Sequence, residues 1–188
     1  MQIGFFNGIL SNIGLDSGIV MSTGDISILV PGGGFGGNVN SNADDPDLLT
    51  VANSVPDLIG QNFTVSSVND VVILEFDFVP TSSFLSFKYV FGSQEYFTYE
   101  NTQYNDVFGF FISGPGIVGP YASPAAFPDG SINIATIPGT DPEIPITISS
   151  VNAFENPAFF VNNQSLETVG DADGFTTIIT AEAEVQCG

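Results

Sequence analysis

The chain has 188 residues, a length that suits a single domain with a substantial core. It carries 21 acidic residues against one lysine, with no arginine and no histidine, and its formal net charge is −20. Because phosphate binding needs lysine and arginine, this composition argues against nucleic acid and against an anionic membrane surface as partners. The mutual repulsion of the carboxylates must be relieved by dissolved salt, by spreading over the surface, or by bound metal ions.

Long apolar runs and cysteines are both scarce. No apolar run approaches the ~20 residues of a membrane-spanning helix, so we expect no direct membrane insertion. The one cysteine, Cys187, cannot form a disulfide within the chain, and its pairing with another chain stays open. Neither a basic leader nor a long apolar stretch follows Met1, so we interpret the sequence as a mature or excised segment, or as a longer chain given without its flanks.

The N-terminal part is predicted to contain two strands and a glycine-rich loop. We assign strands to residues 2–6 and 14–24, the second with glycine at both ends. The loop covers residues 30–47 and includes "PGGGFGG", where glycine permits positive φ angles. It lacks the lysine and the strand-to-helix setting of a phosphate-binding loop.

One short helix is predicted over residues 45–55, "DPDLLTVANSV". Asp45 is expected to cap its N-terminus, because an aspartate there accepts hydrogen bonds from free backbone N–H groups. Pro46 suits the first helical position, and Asp47 lies near the positive end of the helix dipole.

The strongest strand pattern covers residues 70–80, "DVVILEFDFVP", where large apolar residues alternate with carboxylates. A second alternating run follows at residues 83–93 after a short link, so we predict an antiparallel hairpin. In that hairpin Lys88 would lie across from Glu75 or Asp77. The predicted core-facing residues of the second run are Leu85, Phe87, Tyr89 and Phe91.

Further strands or strand–turn units are predicted over residues 105–116, 131–140, 144–152, 157–163 and 174–185. About ten strand candidates with almost no helical periodicity predict an all-β fold. We expect a two-layer antiparallel β-sandwich, jelly-roll-like, with at most one short helix. The whole chain, residues 1–188, is assigned to this one domain.

Oxygen ligands are concentrated where one predicted strand ends and the next begins. Glu95 precedes a loop, and Asn105 with Asp106 returns from it, so the two ends of the loop converge. Calcium takes about six to eight oxygen ligands, and a chain without histidine suits calcium better than zinc, copper or nickel. We therefore predict calcium as a cofactor, with these three residues among its ligands.

Two other acidic segments are candidate calcium ligands. One is "DDPD", with Asp45 and Asp47, and the other is "DADG", with Asp171 and Asp173. The second is similar only to the start of an EF-hand loop. The alternative is that these residues are turn residues and helix caps, which aspartate favours without any metal.

Aromatic residues lie within the same loop, among them Tyr96, Tyr99 and Tyr104. They predict either a platform on which a sugar ring stacks, or anchors for a long loop or a subunit contact. The first possibility would make the domain a calcium-dependent, lectin-like module that binds cell-surface glycans. Asn62 and Asn163 lie in sequons and are candidate glycosylation sites if the host glycosylates.

We do not predict an enzyme. Two carboxyls ~5–10 Å apart can hydrolyse glycosides, and Glu75 with Asp77 is a candidate pair. However, close acidic pairs arise by chance in so acidic a chain, and the absence of histidine removes the base of a usual serine hydrolase. An isopeptide bond from Lys88 would need a buried partner that the sequence does not specify.

Several segments, in a fixed order, resemble the choice-of-anchor L domain family. They are "IGFFNG", "GLDSGIVMSTGDI", "DDPDL", "DVVILEFDFVPTSSFLSFKYVFGSQEY", "YNDVFGFFISGPG", "INIATIPGT", "ISSVN", "FFVNN" and "DGFTTIITAEAEVQC". The resemblance covers nearly the whole chain, and the run from Asp70 to Gly116 is its most specific part. It implies an adhesive or binding module of secreted and surface proteins of bacteria, with no catalytic residues to transfer.

The chain departs from the family pattern at its end. That pattern usually continues past the cysteine with a further strand pair, whereas this sequence stops at Gly188. We expect the missing strands to come from residues outside these 188 or from another chain, unless this member ends early. Strands lent between copies would make a polymer or fibre subunit. The function we predict is therefore an extracellular calcium-binding module for cell-surface adhesion or fibre assembly.

Overall fold

The computed structural model describes residues 1–9, 11–26, 44–165 and 172–187. Within them the protein is mostly β, with antiparallel strands and one short α-helix, as predicted. The elements are β1 (Ile3–Asn7), β2 (Ser17–Met21), α1 (Pro46–Leu58), β3 (Phe84–Tyr89), β4 (Gly92–Ser93), β5 (Phe111–Ile112), β6 (Ile132–Asn133), a 3₁₀ turn (Pro157–Phe159), β7 (Phe160–Asn162), β8 (Gly174–Thr176) and β9 (Ile179–Glu184).

In the described part of the chain, antiparallel pairing joins the strands into four small sheets. Their orders are β1–β2, β3–β9, β4–β8–β7 and β5–β6. Single bridges, such as Val107 with Thr147 and Thr136 with Pro145, extend the pairing between the predicted strand units. Most of those units are thus shorter than their sequence patterns suggest.

The pair β3–β9 supplies one wall of the core. Its register runs from Phe84 opposite Glu184 to Tyr89 opposite Ile179. Because side chains alternate across a strand, one face of this pair is buried and the other is exposed. The core-facing side contains the half-buried Leu85, Phe87 and Tyr89 of β3 and the buried Ile179, Ala181 and Ala183 of β9, which confirms the predicted core side of β3.

Aromatic rings from the segment before β5 pack against that wall. Phe87 lies 4.8 Å from Phe110 between ring centroids, and Tyr89 lies 4.9 Å from Phe108. Tyr89 and Phe110 contact both buried clusters of the core, one around Ile112 and Ala181 and the other around Ile146 and Ile179. These rings therefore join the two clusters.

Helix α1 begins as predicted and ends three residues later than predicted. The Asp45 side chain accepts hydrogen bonds from the backbone N–H groups of Asp47 and Leu48, and Pro46 occupies the first turn. The helix continues through Pro56, whose side chain is buried with that of Val55. Burial of this face outweighs the backbone hydrogen bond that proline cannot make.

The strand predicted over residues 70–80, and with it the hairpin to residues 83–93, is wrong. No strand is assigned there, and β3 pairs instead with β9, which is far away in the sequence. Lys88 consequently lies opposite Thr180 rather than Glu75 or Asp77. Periodicity identified a segment that fits a strand, but pairing also requires a partner at the right edge.

The unit over residues 144–152, predicted as a strand or strand–turn unit, has single bridges at Pro145 and Thr147 that are followed by a turn. Thr147 and Ser150 hydrogen-bond each other through side chain and backbone, at 2.9 Å and 3.0 Å. Asn152 closes the turn by donating to the carbonyl of Ile148 and accepting from the N–H of Glu155. Serine, threonine and asparagine side chains compete with strand pairing in this way.

Most of the predicted glycine-rich loop, residues 30–43, lies outside the described residues. Among the residues that the structure describes, no helix is long and apolar enough to cross a bilayer.

Candidate functional site

The two ends of the loop at residues 95–106 are joined by one hydroxyl group. Ser93, at the end of β4, is buried, and its Oγ donates a 2.6 Å hydrogen bond to Oδ2 of Asp106. The same Oγ accepts a 2.9 Å hydrogen bond from the backbone N–H of Glu95. The predicted convergence is therefore present, and it depends on a serine that sequence reasoning missed. The only sequence signal was its place beside Glu95 at the end of a strand.

A third carboxylate lies at the same rim. Ser93 pairs with Gly174 across β4 and β8, and Asp173 immediately precedes that glycine. Burial raises the pKa of Glu95, and the negative charges of Asp106 and Asp173 raise it further. We call Glu95, Asp106 and Asp173 the acidic rim.

The Asp106 side chain is exposed to solvent, yet enough protein atoms lie near its carboxyl group to desolvate it partly. This desolvation raises the pKa of the Asp106 carboxyl, and the hydrogen bond from Ser93 partly opposes the effect. A cation that approaches this carboxylate from the solvent would stabilise its charged form.

Asn105 has a structural role in the described geometry. Its side chain is buried, and Oδ1 accepts a 3.2 Å hydrogen bond from the N–H of Ser149. Nδ2 has no hydrogen-bond partner among the described residues. The backbone N–H of Asn101 also donates to Ser149, through Oγ at 2.8 Å. Ser149 therefore fixes the loop to the turn at 147–152, and we exclude Asn105 from the acidic rim.

The three tyrosines of the loop have different environments. Tyr96 is fully buried against Phe160, 4.9 Å between ring centroids, so it has no surface on which a sugar could stack. Burial raises the pKa of its hydroxyl, with smaller contributions from nearby carboxylates. Tyr99 and Tyr104 are 38% and 59% exposed, with ring centroids 5.4 Å apart and planes at 76°. Of the three tyrosines, Tyr99 and Tyr104 therefore have an accessible aromatic surface.

The loop also contains an unusual backbone conformation. Phe97 has a φ of 67°, a left-handed value that is uncommon for bulky residues. Its N–H is held by Oε1 of Glu100 at 3.1 Å, and its ring contacts Phe160 edge-on. Strain of this kind is often found at functional sites.

The acidic residues of "DDPD" are engaged elsewhere. Asp45 caps α1 through Oδ1, and Oδ2 of Asp47 accepts a 2.9 Å hydrogen bond from the N–H of Ala122. The alternative explanation, a helix cap, thus describes the observed contacts of Asp45. Asp171 lies outside the described residues.

The two sequons differ in accessibility. Asn62 is exposed. Asn163 is buried, and its Nδ2 donates a 2.8 Å hydrogen bond to the carbonyl of Ala172. Glycosylation of Asn163 would therefore have to precede folding.

The acidic rim suits a hard cation in its chemistry, although it is not a complete cage. Within residues 1–9, 11–26, 44–165 and 172–187, no three acidic, histidine or cysteine side chains come close enough together to hold a metal on their own. The one ion pair found there joins the N-terminus to Asp25, so no protein cation neutralises the rim. A bound calcium would need backbone carbonyls and water as further ligands, which calcium readily accepts.

Comparison with known proteins gives one match. The family model described as choice-of-anchor L domain matches residues 1–188. No curated protein and no solved structure matches the chain.

Proposed function

This chain belongs to the choice-of-anchor L domain family, a family of bacterial surface-associated modules that is not a known enzyme family, and from that premise we propose a calcium-binding role. Family membership implies a cell-surface or secreted protein. The role we propose for it is cell-surface adhesion or assembly of extracellular fibres, with calcium bound at the acidic rim. Self-association and cell-surface glycans are the partners that this role implies.

The observation that carries the proposal is the uncompensated charge at the rim. The pKa of Glu95 is raised by burial and by two neighbouring carboxylates, and no lysine or arginine is paired with them in the described structure. An arrangement that is costly without a cation becomes stabilising when one binds. Ser93 supports this proposal, because its hydroxyl group hydrogen-bonds both ends of the loop and holds them together.

The architecture that we infer for this role is a two-layer, jelly-roll-like sandwich formed by one domain, residues 1–188. Its support is the antiparallel pairing throughout and the packing of β3–β9 against β5, β6 and their flanking segments. Jelly rolls place loops together at one end of the sandwich, where an ion can bind.

Thermal unfolding in EDTA and in excess calcium tests the proposal. Calcium at about 100 times its dissociation constant adds about 2.7 kcal/mol, which raises the Tm of a domain this size by about 5–10 °C. The variant Glu95→Gln/Asp106→Asn should lose this rise. The matched variant Asp141→Asn/Glu143→Gln removes two exposed charges from another turn and should keep it. An unchanged Tm in the wild-type protein, with no calcium by mass spectrometry, would refute the site.

A second candidate function is carbohydrate binding, favoured by the exposed pair Tyr99 and Tyr104. Aromatic faces beside a calcium-shaped loop suit sugar recognition. A glycan array should then show hits that are lost in Tyr104→Ala and in EDTA. Phe154→Ala removes an aromatic ring that is 83% exposed elsewhere and should leave the hits unchanged. If the wild-type protein binds no glycan on the array, carbohydrate binding is refuted and the tyrosines are better explained as anchors of the loop.

A further inference from the structure

Residues 71–80 have the strongest strand pattern in the chain, yet they pair with no strand in the part of the chain that the structure describes. Among the described residues, no backbone hydrogen bond joins residues 66–82 to another element. Large apolar side chains are nevertheless exposed along the segment, at 59% for Ile73, 53% for Phe76 and 75% for Val79. A strand-forming segment with free N–H and C=O groups is a template for pairing with another chain.

The side chains of the segment specify what kind of strand would fit. In an extended conformation, Leu74, Phe76 and Phe78 lie on one side, and Glu75 with Asp77 lies on the other. A neighbouring strand gains most when it presents apolar residues to the first set and cations to the second. The formal net charge of −20 adds a long-range attraction for such a basic strand.

The same charges disfavour a second copy of this chain as the partner. Antiparallel self-pairing centred on Phe76 would place Glu75 opposite Asp77, and like charges directly opposite each other are destabilising. The chain has only one lysine, Lys88, and no arginine with which to offset them. Acidic residues within an apolar strand commonly act against self-association.

An open edge and a groove lie where this segment leads into β3. In the described structure β3 pairs with β9 on one side only. The groove, of about 400 Å³, is lined by Ser83, Phe84, Pro115, Gly116, Glu184, Val185 and Gln186. It combines an exposed aromatic ring, Phe84, with a carboxylate, Glu184, and so repeats the apolar and acidic chemistry of the segment.

We propose that residues 71–80 form a strand-acceptor site for a basic β-strand of another protein, one in which apolar residues alternate with lysine or arginine. The incoming strand adds backbone hydrogen bonds along the segment, and its side chains cover the exposed apolar surface. The site is separate from the acidic rim and does not depend on calcium, so binding is expected to be the same in EDTA.

The test uses the 188-residue chain and a labelled ten-residue peptide of alternating valine and lysine, with binding measured by fluorescence anisotropy in EDTA. The same peptide with every second backbone amide N-methylated keeps its side chains and charge but loses N–H donors. We expect the first peptide to bind and the second to bind at least about tenfold more weakly, because strand addition depends on main-chain hydrogen bonds. Equal binding of the two would mean charge attraction alone and would overturn the proposal.

Protein variants locate the site. Glu75→Gln/Asp77→Asn should weaken binding about fivefold, because two cross-strand charge pairs are lost. The control Asp141→Asn/Glu143→Gln removes the same charge from a distant turn and should bind the peptide as the wild-type protein does. If both double variants weaken binding equally, the segment is not the site.

A third measurement requires no variant. Hydrogen exchange followed by mass spectrometry should show fast exchange in residues 71–79 of the free protein and protection when the peptide is bound. Protection in the free protein that grows with protein concentration would identify a second copy as the occupant and would overturn the choice of a basic strand. Protection that is already complete in dilute free protein would show that the segment is paired within this chain. That result would also overturn the proposal.

Discussion

At the scale of single residues, Ser93 is the group on which the acidic rim depends most directly. It is buried and links the Asp106 carboxylate to the backbone of Glu95. A hydrogen bond to a charged acceptor contributes about 1.5–3 kcal/mol, and its loss leaves Asp106 less well solvated. We expect Ser93→Ala to lower the free energy of unfolding by this amount in urea titrations.

The control for that prediction is Ser86→Ala on β3. Ser86 is exposed on the outer face, opposite Glu182, and a surface substitution there should stay within about 0.5 kcal/mol of the wild-type value. Equal effects of the two substitutions would mean that Ser93 does not hold the rim together.

The raised pKa of Glu95 makes a prediction about pH. Its ordinary pKa is 4.5, and the folded value is higher, so the folded state holds the proton more tightly than the unfolded state does. Between these two values the native state binds more protons, and the free energy of unfolding falls as pH rises. In EDTA we expect the wild-type domain to lose stability as pH rises above 4.5, and Glu95→Gln to lose less.

Urea unfolding between about pH 4.5 and 7 measures this difference directly. The raised pKa values of Glu100 and Asp106 act in the same direction, so Glu95→Gln should reduce the slope without abolishing it. Glu182→Gln, an exposed carboxylate on β9, serves as the control. If the free energy of unfolding depends on pH in the same way for the wild-type protein and Glu95→Gln, the pKa of Glu95 is not raised.

At the scale of elements, the cap of α1 separates a structural role from metal binding. Asp45 accepts hydrogen bonds from two backbone N–H groups at 2.9 Å each. Replacing an aspartate cap by alanine costs about 0.5–2 kcal/mol. We expect Asp45→Ala to lower stability by this amount equally in calcium and in EDTA, as measured by urea unfolding.

The neighbouring variant Asp44→Ala is the matched control, because Asp44 is exposed and outside the helix cap. A loss of stability for Asp45→Ala that appears only in calcium would instead make Asp45 a ligand.

The sequence was sufficient for elements that are defined locally. The cap and proline that start α1 are neighbours in sequence, and the alternation in β3 is a property of one strand, so both predictions are confirmed. Pairing partners are not local: β3 pairs with β9, about a hundred residues later, rather than with the segment just before it. Short turns rich in serine and threonine, such as residues 147–150, have side-chain hydrogen bonds that hydrophobic periodicity does not register.

The candidate site was predictable to a similar degree. Glu95 and Asp106 flank one loop, so their convergence followed from the spacing. Asp173 joins them through the pairing of β4 with β8, which only the fold reveals. The burial of Tyr96 could not be predicted either. Its neighbours in the sequence do not distinguish it from the exposed tyrosines of the same loop.

At the scale of the whole molecule, the net charge of −20 destabilises the folded state, because the carboxylates repel one another. Few of the carboxylates have a protein cation nearby, since the chain has a single lysine. Screening shortens the reach of their repulsion from about 30 Å at 0.01 M salt to about 10 Å at 0.1 M. We therefore expect the Tm in EDTA to rise steadily as sodium chloride is increased over this range.

Screening and specific binding can be separated by the same pair of variants. Sodium chloride and choline chloride should raise the Tm alike, because screening depends on ionic strength rather than on the ion. Glu95→Gln/Asp106→Asn should keep most of this rise, since it removes two of 21 acidic residues, while losing the response to calcium. A Tm that stays flat in both salts would show that the charges are already far enough apart, and the cost of the acidic rim would then be local to Glu95 and its neighbours.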